Sequence, residues 1–260
     1  MGAAVQAAVA PLIGTEAGRQ AVGAGAGGDT TVEIDRLAEQ VALDRFERVR
    51  AAGRRFSVLS EEVGAVDLGA EFPCVVMDPI DGSLNAKQGV PCFSLMLSLL
   101  EGPSVAGVKA GYTLNLVNGE DWHAIRGGGA FHRGRPLRAL PRRRREALEI
   151  VALESSPRSV FQAERLLRRA GKLRILGSMA ISLVQAAAGS FDVFCSPMRA
   201  RVFDMTAGVL TVEEVGGKVT DMSGRPLDDL RVGFDVRTTL LAAADPAAHA
   251  LALELLSAPD

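Results

Sequence analysis

The rhythm of apolar and polar positions changes along this chain. Over residues 30–52, Ile34, Leu37, Ala38, Val41 and Phe46 recur at three- and four-residue spacing, which predicts an amphipathic helix. Asp29 or Thr30 stands where a side chain would cap that helix. Residues 1–22 are alanine-rich, with Val5, Val9, Leu12 and Ile13 on one side; they read as a helix interrupted by Pro11. Short apolar runs then predict strands at 56–59, 75–77, 93–100, 105–115 and 122–125, followed by a glycine-rich hairpin over 127–134. From residue 148 strands and helices alternate. Strands are expected at 148–154, 173–176, 191–195, 218–220 and 239–243, and helices at 159–170, 180–188, 205–215 and 247–256. This alternation predicts layered α/β packing, with an N-terminal α+β half over 1–140 and a C-terminal α/β half over 141–260.

With 260 residues, 48% of them hydrophobic, the chain can bury a sizeable core. A net charge of −2 argues against nucleic acid as a bulk electrostatic partner. Arg142 to Arg145 form a basic run, but no aromatic platform accompanies them and a solvated linker is the expectation. No uncharged apolar run reaches membrane-spanning length. Cys74, Cys92 and Cys195 stand in apolar surroundings without metal-ligand spacing, so reduced core residues are expected, in keeping with a cytoplasmic setting. Gly23 to Gly28 formally match G-x-G-x-x-G, but no apolar strand precedes them; a flexible loop is expected rather than a dinucleotide site. His123 and His132 fall in strand-like runs and are not expected to act as ligands.

The chemistry concentrates in Val75-Val76-Met77-Asp78-Pro79-Ile80-Asp81-Gly82-Ser83-Leu84-Asn85. Carboxylates at a strand tip are what a hard, oxygen-loving cation such as Mg²⁺ requires. Pro79 stiffens the turn between them. Gly82 and Ser83 offer backbone N–H groups at a helix start, where an anion such as phosphate is stabilised. Asp-Pro and Asp-Gly are also ordinary turn formers, so this stretch alone serves a plain turn equally well. Two further segments decide. Ser60-Glu61-Glu62 follows a strand, and Arg201-Val202-Phe203-Asp204-Met205-Thr206-Ala207-Gly208 places an aspartate at the start of a helix that ends at Gly216-Gly217.

Together the three segments resemble the inositol monophosphatase family of metal-dependent phosphatases, which pairs Glu-Glu with Asp-Pro-Ile-Asp-Gly-(Thr/Ser)-x-Asn and a downstream Asp segment followed by Glu-x-Gly-Gly. The likeness extends from about Asp29 to the C-terminus. It implies a five-layer αβαβα sandwich, a homodimer, and two or three Mg²⁺ ions per site, with Mn²⁺ as a substitute. It also implies hydrolysis of a phosphate monoester by a metal-activated water. By resemblance Glu61, Asp78 and the Ile80 carbonyl hold one metal, and Asp78, Asp81 and Asp204 a second. Glu61 also reaches a third, and Glu62 is a weaker ligand candidate. Ser83, paired with Asp35, contacts the nucleophilic water, and the N–H groups of Gly82 and Ser83 bind the phosphate. Phe203 stands where the family usually has tryptophan and is expected to keep an aromatic core contact. The family carries a lysine in the loop matching residues 23–28; this chain has none there.

Asn85-Ala86-Lys87-Gln88-Gly89-Val90-Pro91, the stretch from Gly111 to Glu120 and Gly189-Ser190-Phe191-Asp192-Val193-Phe194 resemble more closely, within the family, the archaeal-type enzymes acting on both inositol monophosphate and fructose 1,6-bisphosphate. Gly177-Ser178-Met179-Ala180 resembles the turn that contacts the polyol or sugar, which makes Ser178 a substrate-side candidate. Inositol-preferring relatives have a glutamate seven residues before the last aspartate, where this chain has Pro197. Arg199 and Arg201 are either two exposed loop arginines or ligands of a second phosphate. A 3′-phosphoadenosine 5′-phosphate phosphatase, or a non-catalytic regulatory or RNA-associated protein on the same fold, are the alternatives; the complete acidic set speaks for an enzyme.

Overall fold

A computed structural model describes residues 1–140 and 147–257. The chain opens with α1 (Gly2–Val9), tightens into a 3₁₀ turn at Ala10–Leu12, and continues into the short α2 (Glu16–Arg19). The single helix expected over 1–22 is therefore broken. Pro11 lacks the N–H a continuing helix needs, and Gly14 turns the chain at φ +68. The loop expected at 23–28 is mostly the tip of a hairpin between β1 (Ala21–Ala24) and β2 (Thr30–Val32), with Ala24 opposite Thr30. Every β1 residue is exposed, so no burial-driven alternation marked it as a strand. Asp29 and Thr30 do not cap the following helix: α3 (Glu33–Ala51) begins after Val32, which makes no side-chain cap.

Seven strands form the first sheet. They are β3 (Phe56–Ser60), β4 (Gly64–Asp81), β5 (Ser94–Leu100), β6 (Val108–Asn115), β7 (Asp121–Ile125), β8 (Gly129–His132) and β9 (Arg135–Pro136), hydrogen-bonded in that order, with the short helix α4 (Ser83–Gln88) after β4. β4 wraps around β3. Ser60 stands opposite both Gly64 on the first limb of β4 and Met77 on the second.

The second half contributes β10 (Leu148–Leu153), α5 (Glu164–Arg168), β11 (Ala170–Ile175), α6 (Met179–Ala187), β12 (Val193–Arg201), α7 (Thr206–Glu214), β13 (Lys218–Thr220), β14 (Arg237–Ala243) and α8 (Pro246–Ser257). Its five strands are ordered β11-β10-β12-β14-β13. β10 runs parallel to β11 and β12, while β14 is antiparallel to β12 and β13.

The layers follow from which face each strand residue serves, because successive side chains point to opposite sides of a sheet. Met77 and Leu95 pack with Val5, Ile34 and Phe46 of the outer helices α1 and α3. Their neighbours Val76 and Met96 face the other way, onto α6 and α7. In the second sheet, Phe194 and Leu240 face those same two helices, and Cys195 and Leu241 face α5 and α8. The result is the αβαβα sandwich that the resemblance implied. α6 and α7 lie between the sheets and are apolar almost all round, as helices covered on both sides must be. α7 approaches β6 so closely that a Cβ on Gly111 would meet the Ala207 Cα at 2.8 Å.

The cysteines are free thiols: Cys195 is buried, and Cys74 and Cys92 are half-buried. His123 and His132 are strand residues, stacked on Phe131 and Trp122. The Arg142–Arg145 run lies outside the described residues. Among the described residues, no helix is long and apolar enough to cross a membrane.

Candidate functional site

The wrapping of β4 around β3 brings two motif segments together. Residues 61–63 turn between the strands, and the Glu61 N–H donates to the Met77 carbonyl at 3.2 Å. Asp78 follows Met77 and is 3% exposed; its Oδ1 accepts the Ile80 N–H at 3.0 Å. The Ile80 carbonyl accepts from Ser83 Oγ at 2.9 Å. Gly82 closes the turn at φ +92, and a Cβ there would stand 2.9 Å from the Gly177 carbonyl of the other half. Only glycine fits so close a backbone approach in that conformation. Asn85 fastens the junction, with Nδ2 donating to the Cys92 and Leu176 carbonyls, each at 2.7 Å.

Asp81 sits at the N-terminus of α6. It accepts hydrogen bonds from the Ser178 hydroxyl, from Ser94 Oγ at 3.1 Å, and from the Met179 and Ala180 N–H groups at 3.0 Å each. Ser178 also caps α6 by accepting the Ile181 N–H. Asp204 arrives on the 3₁₀ turn Val202–Met205 that leads into α7.

Arg201 lies among these acids. Its Nη2 donates to Glu61 Oε1 at 2.5 Å, and its Nε donates to Asp204 Oδ2 at 2.9 Å. Nη1 donates to the Gly27 carbonyl at 3.2 Å and stands 3.6 Å from Asp29. The side chain joins both halves and the β1–β2 hairpin. Phe203 is fully buried against Phe234, as expected of a core aromatic, and its ring centroid lies 6.0 Å from the Arg201 guanidinium carbon. Arg199 is exposed and donates instead to the Arg237 carbonyl. The structure thus gathers Glu61, Asp78, Ile80, Asp81, Gly82, Ser83, Ser178, Asp204 and Arg201, and leaves Arg199 at the surface.

On the α3 side, Asp35 is 2% exposed, and a hydrogen bond with Ser83 helps hold its charge. Glu62 accepts from Thr31 Oγ1. Glu39 had no place in the sequence reading. It is buried one turn after Asp35 and accepts from Ser60 Oγ at 2.5 Å and the Val63 N–H at 3.0 Å, so it shapes the Glu61 turn. Its trace in the sequence is an acid next to Ala38 on the apolar stripe, four residues after Asp35, where a purely structural helix would carry another apolar group. Asn85 stands in the motif stretch, but its hydrogen bonds, like that of Ser94, are announced by no spacing.

Burial dominates the electrostatics. It raises the carboxyls of Asp35 to about 6, Glu62 to about 7 and Asp204 to about 7; for Asp204, Arg201 opposes the rise. Asp78 is raised well above its ordinary value by burial and by Glu61, Asp81 and Asp204 together. Burial works against the Arg201 charge, but Asp204 and Glu61 outweigh it and keep the guanidinium protonated. Asp35, Glu62 and Asp204 therefore hold protons in the folded chain up to about pH 6–7, whereas an unfolded carboxylate releases its proton near pH 4. The folded state binds more protons in this window, so stability falls as pH rises. The metal-free protein is expected to melt at a lower temperature at pH 8 than at pH 5. Thermal denaturation in EDTA across that range checks this, and a rising melting temperature would contradict it.

The donor set suits hard divalent cations. Four carboxylates converge with one guanidinium between them, and Asp204 Oδ1 is buried without a hydrogen-bond partner. Among the described residues, no group of three or more His, Cys, Asp or Glu side chains is placed to hold a metal ion as the chain stands. Arg201 holds Glu61 and Asp204 instead. The residues fit cations chemically once Arg201 yields those two oxygens.

Comparison with known proteins extends over nearly the whole chain. The model of the family described as the inositol monophosphatase family matches residues 2–258. A fructose-1,6-bisphosphatase/inositol-1-monophosphatase of Methanothermobacter thermautotrophicus is 32% identical over 97% of this chain and 92% of its own length. Its namesake in Archaeoglobus fulgidus is 33% identical over 90% of this chain and 87% of its own. The crystal structure of an inositol monophosphatase–fructose 1,6-bisphosphatase superposes with a TM-score of 0.84 at 22% identity, covering 98% of this chain and 96% of that one.

Proposed function

Since the chain belongs to the inositol monophosphatase family, we propose that it hydrolyses inositol monophosphate and fructose 1,6-bisphosphate with Mg²⁺ as its metal. It is a phosphoric monoester hydrolase of a metal-dependent family, and phosphorylated polyols and sugars are the substrates that fit that family. The observation that carries the reading is that Glu61, Asp81 and Asp204 all lie within electrostatic reach of the buried Asp78, while one Asp204 oxygen is buried without a partner. An arrangement serving only structure would not bury Asp78 among like charges or leave an Asp204 oxygen without a partner.

Two or three cations would be held by Glu61, Asp78, the Ile80 carbonyl, Asp81 and Asp204. When bound, they would neutralise charge on the transferring phosphoryl group and favour ionisation of the attacking water. The chain's own residues do the rest. Ser83 lies between Asp35 and the Ile80 carbonyl, and its hydroxyl orients the water, with Asp35 taking the proton. The Gly82 and Ser83 N–H groups receive the phosphate, because the αL conformation of Gly82 leads directly into the start of α4. Ser178 fixes Asp81 from the substrate side. Arg201, with all three nitrogens engaged, is held by the acids rather than offered to a second phosphate.

The test is phosphate release with Mg²⁺, and with EDTA as control, from inositol 1-phosphate, fructose 1,6-bisphosphate and 3′-phosphoadenosine 5′-phosphate. Comparable turnover of the first two is expected. Activity confined to the nucleotide would keep the phosphatase and overturn the substrate.

A further inference from the structure

One carboxylate bordering this site has no role in the account above. Glu154 follows β10, and its N–H donates to the Cys195 carbonyl at 3.1 Å. Leu153 stands opposite Cys195, so Glu154 lies beside Ser196, one residue from Pro197. On its other side the Gly177 N–H hydrogen-bonds to the carboxylate. Glu154 is thus wedged between the turn that presents Ser178 and the stretch of β12 that runs toward Arg201 and Asp204. It lies within electrostatic reach of Asp81 and Cys92.

Its Oε2 is buried and, among the described residues, has no hydrogen-bond partner. Burial raises the Glu154 carboxyl to about 7, Asp81 pushes it the same way, and the Gly177 N–H opposes; no cation enters that balance. A buried carboxyl oxygen without a donor is unfavourable, and such groups are ordinarily satisfied by protein, water or ligand. Above pH 7, where the carboxylate is ionised, a phosphate cannot satisfy it, since anion would face anion. A neutral hydroxyl can, because an O–H donates and carries no charge to repel.

We propose that Glu154 is a specificity-determining residue whose carboxylate turns Oε2 out of its enclosed position to accept a ring hydroxyl of the polyol or sugar when the phosphate occupies the Asp78–Asp204 cluster. This rests on the phosphatase reading and deepens it. It also gives the substrate side of the site a carboxylate although position 197 is proline. The acid comes from the adjacent strand instead.

The experiment compares wild type, Glu154→Gln and Glu154→Ala on inositol 1-phosphate and on p-nitrophenyl phosphate, which has no ring hydroxyls. A hydrogen bond to a charged acceptor contributes about 1.5–3 kcal/mol. The ratio of kcat/KM for inositol 1-phosphate to that for p-nitrophenyl phosphate is therefore expected to fall about tenfold or more in Glu154→Ala. The fall should lie mainly in KM. Glu154→Gln, which keeps the shape and one acceptor oxygen, should recover part of it and guards against a folding defect in the alanine variant. An unchanged ratio overturns the proposal. So does weaker Mn²⁺ binding to Glu154→Gln by calorimetry together with an unchanged ratio, which would make Glu154 a cation ligand. Wild type releasing phosphate from neither compound would overturn the phosphatase reading, and the inference with it.

Discussion

Replacing Asp78 with asparagine should abolish most phosphate release and at the same time stabilise the metal-free protein. Asp78 lies at the centre of the acidic cluster, buried among Glu61, Asp81 and Asp204. As a cation ligand it supports charge stabilisation worth several kcal/mol. At 1.36 kcal/mol per decade, a loss of about 4 kcal/mol corresponds to roughly 10³-fold in rate. In the metal-free chain the same carboxylate is a liability, because it is desolvated and faces like charges. Asparagine keeps the shape and the bond from the Ile80 N–H, and removes the repulsion. The melting temperature in EDTA should rise by a few degrees while activity with Mg²⁺ collapses. Opposite movements exclude misfolding as the cause of inactivity. Activity within tenfold of wild type would remove Asp78 from the metal ligands.

The second large effect belongs to Arg201→Met. The guanidinium is the only cation bonded to both Glu61 and Asp204 in the described residues, and it also ties down the hairpin through Gly27. At pH 8, where Asp204 is ionised, removing the guanidinium leaves buried charge unpaired, which typically costs about 3–5 kcal/mol. In a chain of this size that lowers the melting temperature by on the order of 10 °C. The loss should be concentrated in the metal-free state, because bound divalent cations would neutralise the same carboxylates. Melting curves of both proteins in EDTA and in saturating Mn²⁺ decide the matter. An equal deficit under both conditions would mean that Arg201 acts only as a strut between the halves.

The layered fold was legible because its strands are short apolar runs and its helices carry apolar stripes. Val76 and Met77, or Leu240 and Leu241, show why runs without alternation appear: both sheet faces are covered. The hairpin at 21–32 escaped for the converse reason. Its first strand is exposed along its whole length and rich in glycine and alanine, so backbone pairing alone defines it. Pro11 was visible as an interruption, but the sequence did not say that a 3₁₀ turn and a separate short helix would follow. The acids of the cluster were legible because their motif types are rare in combination. Arg201 was legible only as an exposed loop arginine or a ligand of a second phosphate; its engagement with Glu61 depends on two segments 140 residues apart. Glu39 and Glu154 owe their importance to neighbours from other elements, which no local spacing encodes.

The middle layer has a consequence for how this molecule can be divided. α6 and α7 come from the second half of the chain, yet they cover the inner face of the first sheet as well as that of the second. The first half alone would leave Val76, Met96 and the groove at Gly111 uncovered, an apolar face of the kind that drives aggregation. The two sheets share one interior. Neither half is an exchangeable module, and a change that loosens α7 is felt at once on both sides of the Asp78–Asp204 seam.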